Sequence, residues 1–113
     1  MAEDCLFCRI VGGQIPASIV TRTDDVVVFR DINPQAPTHL LVIPTKHVAS
    51  LNDADASDDL GRLMRAAVDA AKGAGIAESG YRIVINAGEN GGQTVSHLHL
   101  HVLGGRRMAW PPG

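Results

Sequence analysis

The sequence predicts an α+β fold: about five short strands in a mostly antiparallel sheet, with one short and one long helix packed on one face. Two observations carry this. Short β-rich runs recur between tight turns, which is the pattern of an antiparallel sheet. Only one stretch shows the three-to-four spacing of a long amphipathic helix. The chain has 113 residues, 45% hydrophobic and 19% charged, so it is read as one domain, residues 1–113, with a real apolar core. No repeat, linker or low-complexity stretch interrupts it.

The elements follow in order. Residues 5–11 are mostly apolar and stop at Gly12-Gly13, which predicts one or two helical turns ended by glycine. Residues 18–22 and 26–31 are β-rich and flank Thr23-Asp24-Asp25, a hairpin pattern. Asn33-Pro34-Gln35-Ala36-Pro37 is a rigid loop, because two prolines exclude regular structure on either side. Residues 39–44, HLLVIP, read as a buried strand. From Asp55 or Ser57 to about Lys72 the period changes. Leu60, Leu63, Met64, Ala67, Val68 and Ala71 form one face, acidic residues fill the first turn, and Gly73 lies near the end, all features of a helix. Residues 81–86 give a fourth strand, 88–92 a glycine-rich loop, and 97–103 the last strand.

Ten Lys and Arg stand against twelve Asp and Glu, a formal charge of −2. No basic run or aromatic-basic stripe tracks a nucleic-acid backbone, so no nucleic-acid partner is expected and any phosphate is held by local geometry. The acidic start, Met-Ala-Glu-Asp-Cys, lacks the pattern of a signal peptide. No run approaches the roughly 20 apolar residues of a membrane helix. The expected location is the cytoplasm, where Cys5 and Cys8 read as metal ligands or a redox pair before they read as a disulfide.

The segment His97-Leu98-His99-Leu100-His101-Val102 alternates with period two. On a strand this puts three imidazoles on one face and Leu98, Leu100 and Val102 on the other. A rise of ~3.3 Å per residue spaces neighbouring histidines about 6.6 Å apart, so they can line one ligand or divide between two sites. Strand propensity does not favour three titratable rings on one face, and they repel once charged. A neutral imidazole is a good nucleophile at pH 7, and a hydrogen bond at one ring nitrogen fixes which nitrogen is free. A nonspecific metal-binding strip is the other reading of the same residues. Just upstream, Gly91-Gly92-Gln93-Thr94-Val95-Ser96 offers glycines that admit an anion to the backbone amides, plus two hydroxyls. It is either a phosphate cradle or a plain glycine turn.

HLHLHVL resembles the His-x-His-x-His signature of the histidine triad superfamily. FRDINPQAPTHLLVIPTKH, YRIVINAGENGGQTVSHLHLHVLGGRRMAWPPG and CLFCRIVGGQIPA are similar to its Hint branch, the nucleoside phosphoramidases. The resemblance covers nearly the whole chain and is weakest from 55 to 75. It implies a five-stranded antiparallel sheet with two helices, continued across a homodimer, and hydrolysis of the P–N bond of purine nucleoside phosphoramidates through a nucleotidyl-histidine intermediate. His99 would be the nucleophile, His101 would contact the phosphate, and His39 would orient or support the nucleophile. Asp31 would hold the ribose hydroxyls, while Phe7, Ile10, Phe29 and Ile32 would line the purine pocket. Asn86, Gly92, Gln93, Thr94 and Val95 would surround the phosphate, with Thr94 where many of these proteins have serine. Trp110, on the C-terminal tail, would reach toward the partner's active site. Histidine at position 101, rather than the glutamine of the nucleotidyl-transferase branch, favours hydrolysis over transfer.

Cys5 and Cys8, with His47 and a triad histidine, would supply the four N and S ligands that structural zinc prefers. Some bacterial members of the superfamily resemble this, and carried across the set is Cys5, Cys8, His47 and His97. Zn2+ would then be structural and would leave His99 and His101 free for chemistry. Two other classes stay open: a nucleotide-binding regulatory module with incidental turnover, and a zinc-storage or scaffold protein.

Overall fold

The computed structural model describes residues 4–113; the first three residues of the acidic start lie outside it. Helix α1 (Leu6–Val11) is followed by β1 (Ile19–Arg22), β2 (Val26–Arg30) and β3 (Thr38–Pro44). After a 3-10 turn at Leu51–Asp53 come α2 (Leu60–Gly73), β4 (Tyr81–Val84) and β5 (Leu100–Gly104). The strands form one antiparallel sheet in the order β1-β2-β3-β5-β4. The expected set of five strands, one short helix and one long helix is present.

The two helices lie on opposite faces of the sheet, which corrects the expectation of one face. Val26, Val28, Leu40, Val42, Leu98, Leu100 and Val102 pack with Leu63, Ala67, Ala70 and Ala71 of α2. The alternate residues Val27, Phe29, Leu41 and Ile43 pack with Phe7 and Ile10 of α1. Strands covered on both faces read as unbroken apolar runs, VVVF and LLVI, rather than as alternation. Each such side chain contributes about 1.5–3 kcal/mol on burial.

The largest boundary differences from the sequence reading are at α2 and β5. Helix α2 begins at Leu60, not at 55–57, because Asp59 is its N-cap and accepts from the Arg62 amide at 2.9 Å. The acidic residues before it are occupied locally: Asp55 accepts from the Ser57 amide and hydroxyl, and Asp58 accepts from the Asp55 amide and Lys46. Such side-chain bonds to nearby amides compete with a helical turn. The buried stripe of α2 runs through Leu63, Ala67, Ala70 and Ala71, whereas Leu60 and Met64 are exposed. Strand β5 starts at Leu100 rather than His97, since the Leu98 amide turns to the Val48 carbonyl at 2.6 Å. Side-chain alternation nevertheless runs through the whole segment, with Leu98, Leu100 and Val102 all in the α2-side core.

Candidate active site

The triad histidines lie on the α1 side of the sheet. Phe7 meets the rings of His97 and His99 edge-on, with centroids 5.9 and 5.1 Å away. The rings of His99 and His101 are 5.0 Å apart. His97 turns away from the other two. The run is therefore divided between two sites.

The first site joins α1 to the end of β3. Cys8 Sγ lies 3.2 Å from His47 Nδ1, and His97 Nδ1 lies 3.4 Å from both Cys5 Sγ and Cys8 Sγ. All four ligand atoms fall within 4.8 Å of one another. A tetrahedral zinc, with Zn–S about 2.3 Å and Zn–N about 2.0–2.1 Å, sets sulfur and nitrogen about 3.5 Å apart, so the spacing fits. The protons fit as well. His97 Nε2–H donates to the Pro44 carbonyl at 2.9 Å, which leaves the Nδ1 lone pair facing the sulfurs, the outer hydrogen bond that metal-binding histidines make. Burial holds the His97 imidazole neutral by lowering its pKa; His47 and His99 push the same way, and the Pro44 bond opposes them. Without a metal, burial chiefly, with Cys5 adjacent, pushes the Cys8 thiol up to about 11. The cluster also fastens α1: Cys5 is its N-cap and accepts from the Cys8 amide at 3.4 Å.

The second site lines a cavity of about 500 Å³, the size of a small-ligand pocket. Phe7 and Ile10 of α1 and Phe29 of β2 form its apolar part, with Asp31 and Ile32 on the loop after β2. Asn86, Gly92, Thr94 and Val95 approach from the glycine-rich loop, and His39, His99 and His101 face the same space. Gly92 has φ +83, and a Cβ on Gly91 would lie 2.5 Å from the Ala87 carbonyl oxygen. Only glycines make this tight turn.

The hydrogen bonds assign the protons. His99 Nδ1 lies 2.7 Å from the His97 carbonyl oxygen. A carbonyl only accepts, so Nδ1 carries the hydrogen and Nε2 keeps its lone pair. The Gln35 amide donates to His39 Nδ1 at 3.0 Å, so the His39 proton is on Nε2, 2.9 Å from His101 Nδ1 and 3.4 Å from Asp31 Oδ2. His101 Nδ1 accepts that hydrogen, and neutral His101 then carries its own on Nε2. Burial, reinforced by His99 and His39 and opposed by Asp31, lowers the His101 pKa to about 4. Burial also lowers that of His39, against the pull of Asp31. In their neutral forms, His99 thus presents an Nε2 lone pair beside the Nε2–H donor of His101.

Most of the residues singled out for the nucleotide converge here, but Gln93, Trp110 and Ser96 do not line this cavity. Gln93 closes its own loop and ties it to Ala49: its Nε2 donates to the Ala49 and Val95 carbonyls, and its Oε1 accepts from the Gly88 amide. Trp110 is 81% exposed, with the Arg82 guanidinium 5.9 Å from its ring centre. Ser96 lies on the far side, near Cys5 and His47. His39 reaches His101, and its link to His99 runs through that ring. Sequence reasoning missed Gln35, whose contribution is a backbone amide and so has no residue signature.

A HIT domain model matches residues 12–108. The chain is 50% identical, over the full length of both, to an uncharacterised HIT-like protein of Synechococcus elongatus. It is 47% identical to the purine nucleoside phosphoramidase of Escherichia coli K12, covering 96% of this chain and 92% of that one. Among solved structures it is similar to a HIT family hydrolase from Legionella pneumophila (TM-score 0.94, 51% identity, 96% of this chain and 99% of that). A histidine triad protein from Clostridium difficile gives a TM-score of 0.90 at 41% identity, with 94% of each chain covered.

Proposed function

The chain belongs to the HIT domain family, and on that footing we propose that it is a hydrolase of purine nucleoside phosphoramidates with His99 as nucleophile. The observation that carries this is the His99 tautomer: Nδ1–H is bound to the His97 carbonyl at 2.7 Å, leaving Nε2 basic at a cavity that also holds His101 and Thr94. Attack by Nε2 forms an N–P bond as the P–N bond of the substrate breaks and the amine leaves, taking a proton from solvent. The imidazole gains positive charge in this step, and the His97 carbonyl on Nδ1–H stabilises it. His101 Nε2–H and the Thr94 hydroxyl at the same cavity offer donors to the phosphoryl oxygens. Water then attacks phosphorus and releases the nucleoside monophosphate and neutral His99. Asp31, at the lip of the apolar part, accepts from the ribose hydroxyls, and Phe7, Ile10 and Phe29 enclose the base.

The reading includes a homodimer in which the sheet continues across an edge and Trp110 reaches the partner's site. Strand β4 is a sheet edge, paired on one side only by β5, and such an edge is a template for further pairing. It also includes a structural zinc held by Cys5, Cys8, His47 and His97. That ion would supply cross-linking between α1, β3 and β5 and no chemistry at phosphorus.

Steady-state hydrolysis of adenosine 5′-phosphoramidate tests the reading. Turnover by the wild type that is lost in His99→Ala supports it. Tight AMP binding without turnover overturns it in favour of a nucleotide-binding module.

A further inference from the structure

Arg106 lies just past β5, outside the pocket, and no step of the reaction above uses it. Its guanidinium donates twice to the Gln35 carbonyl oxygen, from Nη2 at 3.0 Å and Nε at 3.3 Å, and once, from Nη1, to the Arg107 carbonyl at 3.2 Å. The amide of that same residue is the donor to His39 Nδ1. Gln35 sits on the loop between Pro34 and Pro37, and its side chain donates to the Asn33 carbonyl at 3.0 Å. The approach of the two segments is built in. Gly105 has φ +87, and a Cβ there would lie 2.8 Å from Pro37 Cβ, so only glycine lets the end of β5 turn against this loop and bring Arg106 over it.

We propose that Arg106 is a positioning residue: by fixing the backbone at Gln35 through its carbonyl, it holds the Gln35 N–H on His39 and so sets the proton of His39 and, through it, the direction in which His101 donates. This rests on the reading of His101 as a donor to the phosphate. The logic follows from donors and acceptors alone. A peptide N–H aimed at His39 Nδ1 forbids a proton there, so His39 presents Nε2–H. His101 Nδ1 must then accept, and its Nε2–H is directed to the cavity. Asp31 Oδ2, 3.4 Å from His39 Nε2, is a second acceptor that favours the same tautomer. If the Gln35 backbone turns its N–H away, His39 is free to take its proton on Nδ1 and present a lone pair to His101. His101 must then turn its hydrogen inward and face the phosphate oxygens with a lone pair, which repels them. Among the described residues, Arg106 is the only side chain that donates to the Gln35 carbonyl.

The test is nitrogen-15 NMR of the full chain labelled at histidine, at pH 7, beside steady-state kinetics. In the wild type, His39 and His101 are expected each to carry the proton on Nε2. In Arg106→Ala the signals of both should move toward tautomer averages while those of His47 and His97 stay in place. kcat on adenosine 5′-phosphoramidate should fall roughly tenfold, the scale of a modest loss of orientation, with KM little changed. Arg106→Lys, which keeps one donor, should restore part of the signal pattern and part of kcat. A wild-type His101 with its proton on Nδ1, or histidine signals unchanged in Arg106→Ala, overturns the proposal. If the wild type shows the expected tautomers and Arg106→Ala loses them, but neither turns over phosphoramidate, the positioning role stands and the hydrolase reading falls. An Arg106→Ala protein that melts far below the wild type is replaced by Arg106→Lys, for which unchanged signals and rate are likewise fatal.

Discussion

Two sites share one histidine run, and the comparison between them shows how context assigns a residue its work. At Cys5, Cys8, His47 and His97 two sulfurs converge with two ring nitrogens at 3.2–3.4 Å, closing on a point between α1 and the sheet. At His39, His99 and His101 there is no sulfur. There the rings are fixed from behind by a carbonyl and an amide, and their remaining atoms face a cavity. His97 and His99 differ by two positions and have the same chemistry in isolation. His97 spends Nε2–H on the Pro44 carbonyl and frees Nδ1, whereas His99 spends Nδ1–H on a carbonyl and frees Nε2. The freed nitrogen, more than the residue type, separates a candidate ligand from a candidate nucleophile.

Substitutions that separate the two sites test the comparison. The largest effect is expected from His99→Ala, which should lower phosphoramidate turnover by roughly three orders of magnitude or more, as removal of a nucleophile does. Its metal content and melting temperature should barely move. Cys8→Ser should do the reverse. Metal analysis should find about one zinc per wild-type chain and none in the variant, and the melting temperature should fall by about 10 °C, equivalent to ~2 kcal/mol in a domain this size. Turnover by the folded fraction should persist. Retained zinc in Cys8→Ser would undo the four-ligand assignment.

A smaller change, raising KM roughly tenfold for ribonucleotide substrates, is expected for Asp31→Asn. The preference over the 2′-deoxy substrate should shrink with it, and an unchanged preference would remove Asp31 from ribose recognition. The smallest effect is in acid. His101 titrates near 6.5 when unfolded and at about 4 when folded, so as pH falls between those values the unfolded chain takes up its proton first. Stability is therefore lost as pH falls through that window, and burial of His39 adds in the same direction. A drop of a few degrees in melting temperature is expected, and His101→Gln should flatten it.

The sequence made the element order readable because it depends on residue type and period; period alone left the division of the triad open, and only the resemblance suggested it. Alternation placed Leu98, Leu100 and Val102 in the core and the histidines opposite, and this holds although regular strand pairing starts only at Leu100. The acidic stretch before α2 misled, since Asp55 and Asp58 are as suited to local turns as to a helix start, and only the folded chain shows Asp59 as the cap. The two-sided sheet was visible in VVVF and LLVI, though short connections alone pointed to helices on one face. Gln93 has a phosphate-loop setting and a structural task, tying its loop to Ala49. The amide of Gln35 and the grip of Arg106 could not be read in advance, because any residue but proline carries that amide and the partners are 71 positions apart.

The acceptor that orients His99 is the main-chain oxygen of residue 97, and a peptide carbonyl is indifferent to the side chain it carries. Exchange of His97 for another residue would dismantle the sulfur-nitrogen cluster yet leave that acceptor in the chain. Reactivity at position 99 is thus insulated from drift at its neighbour, and a lineage could gain or shed the metal without having to reinvent its nucleophile.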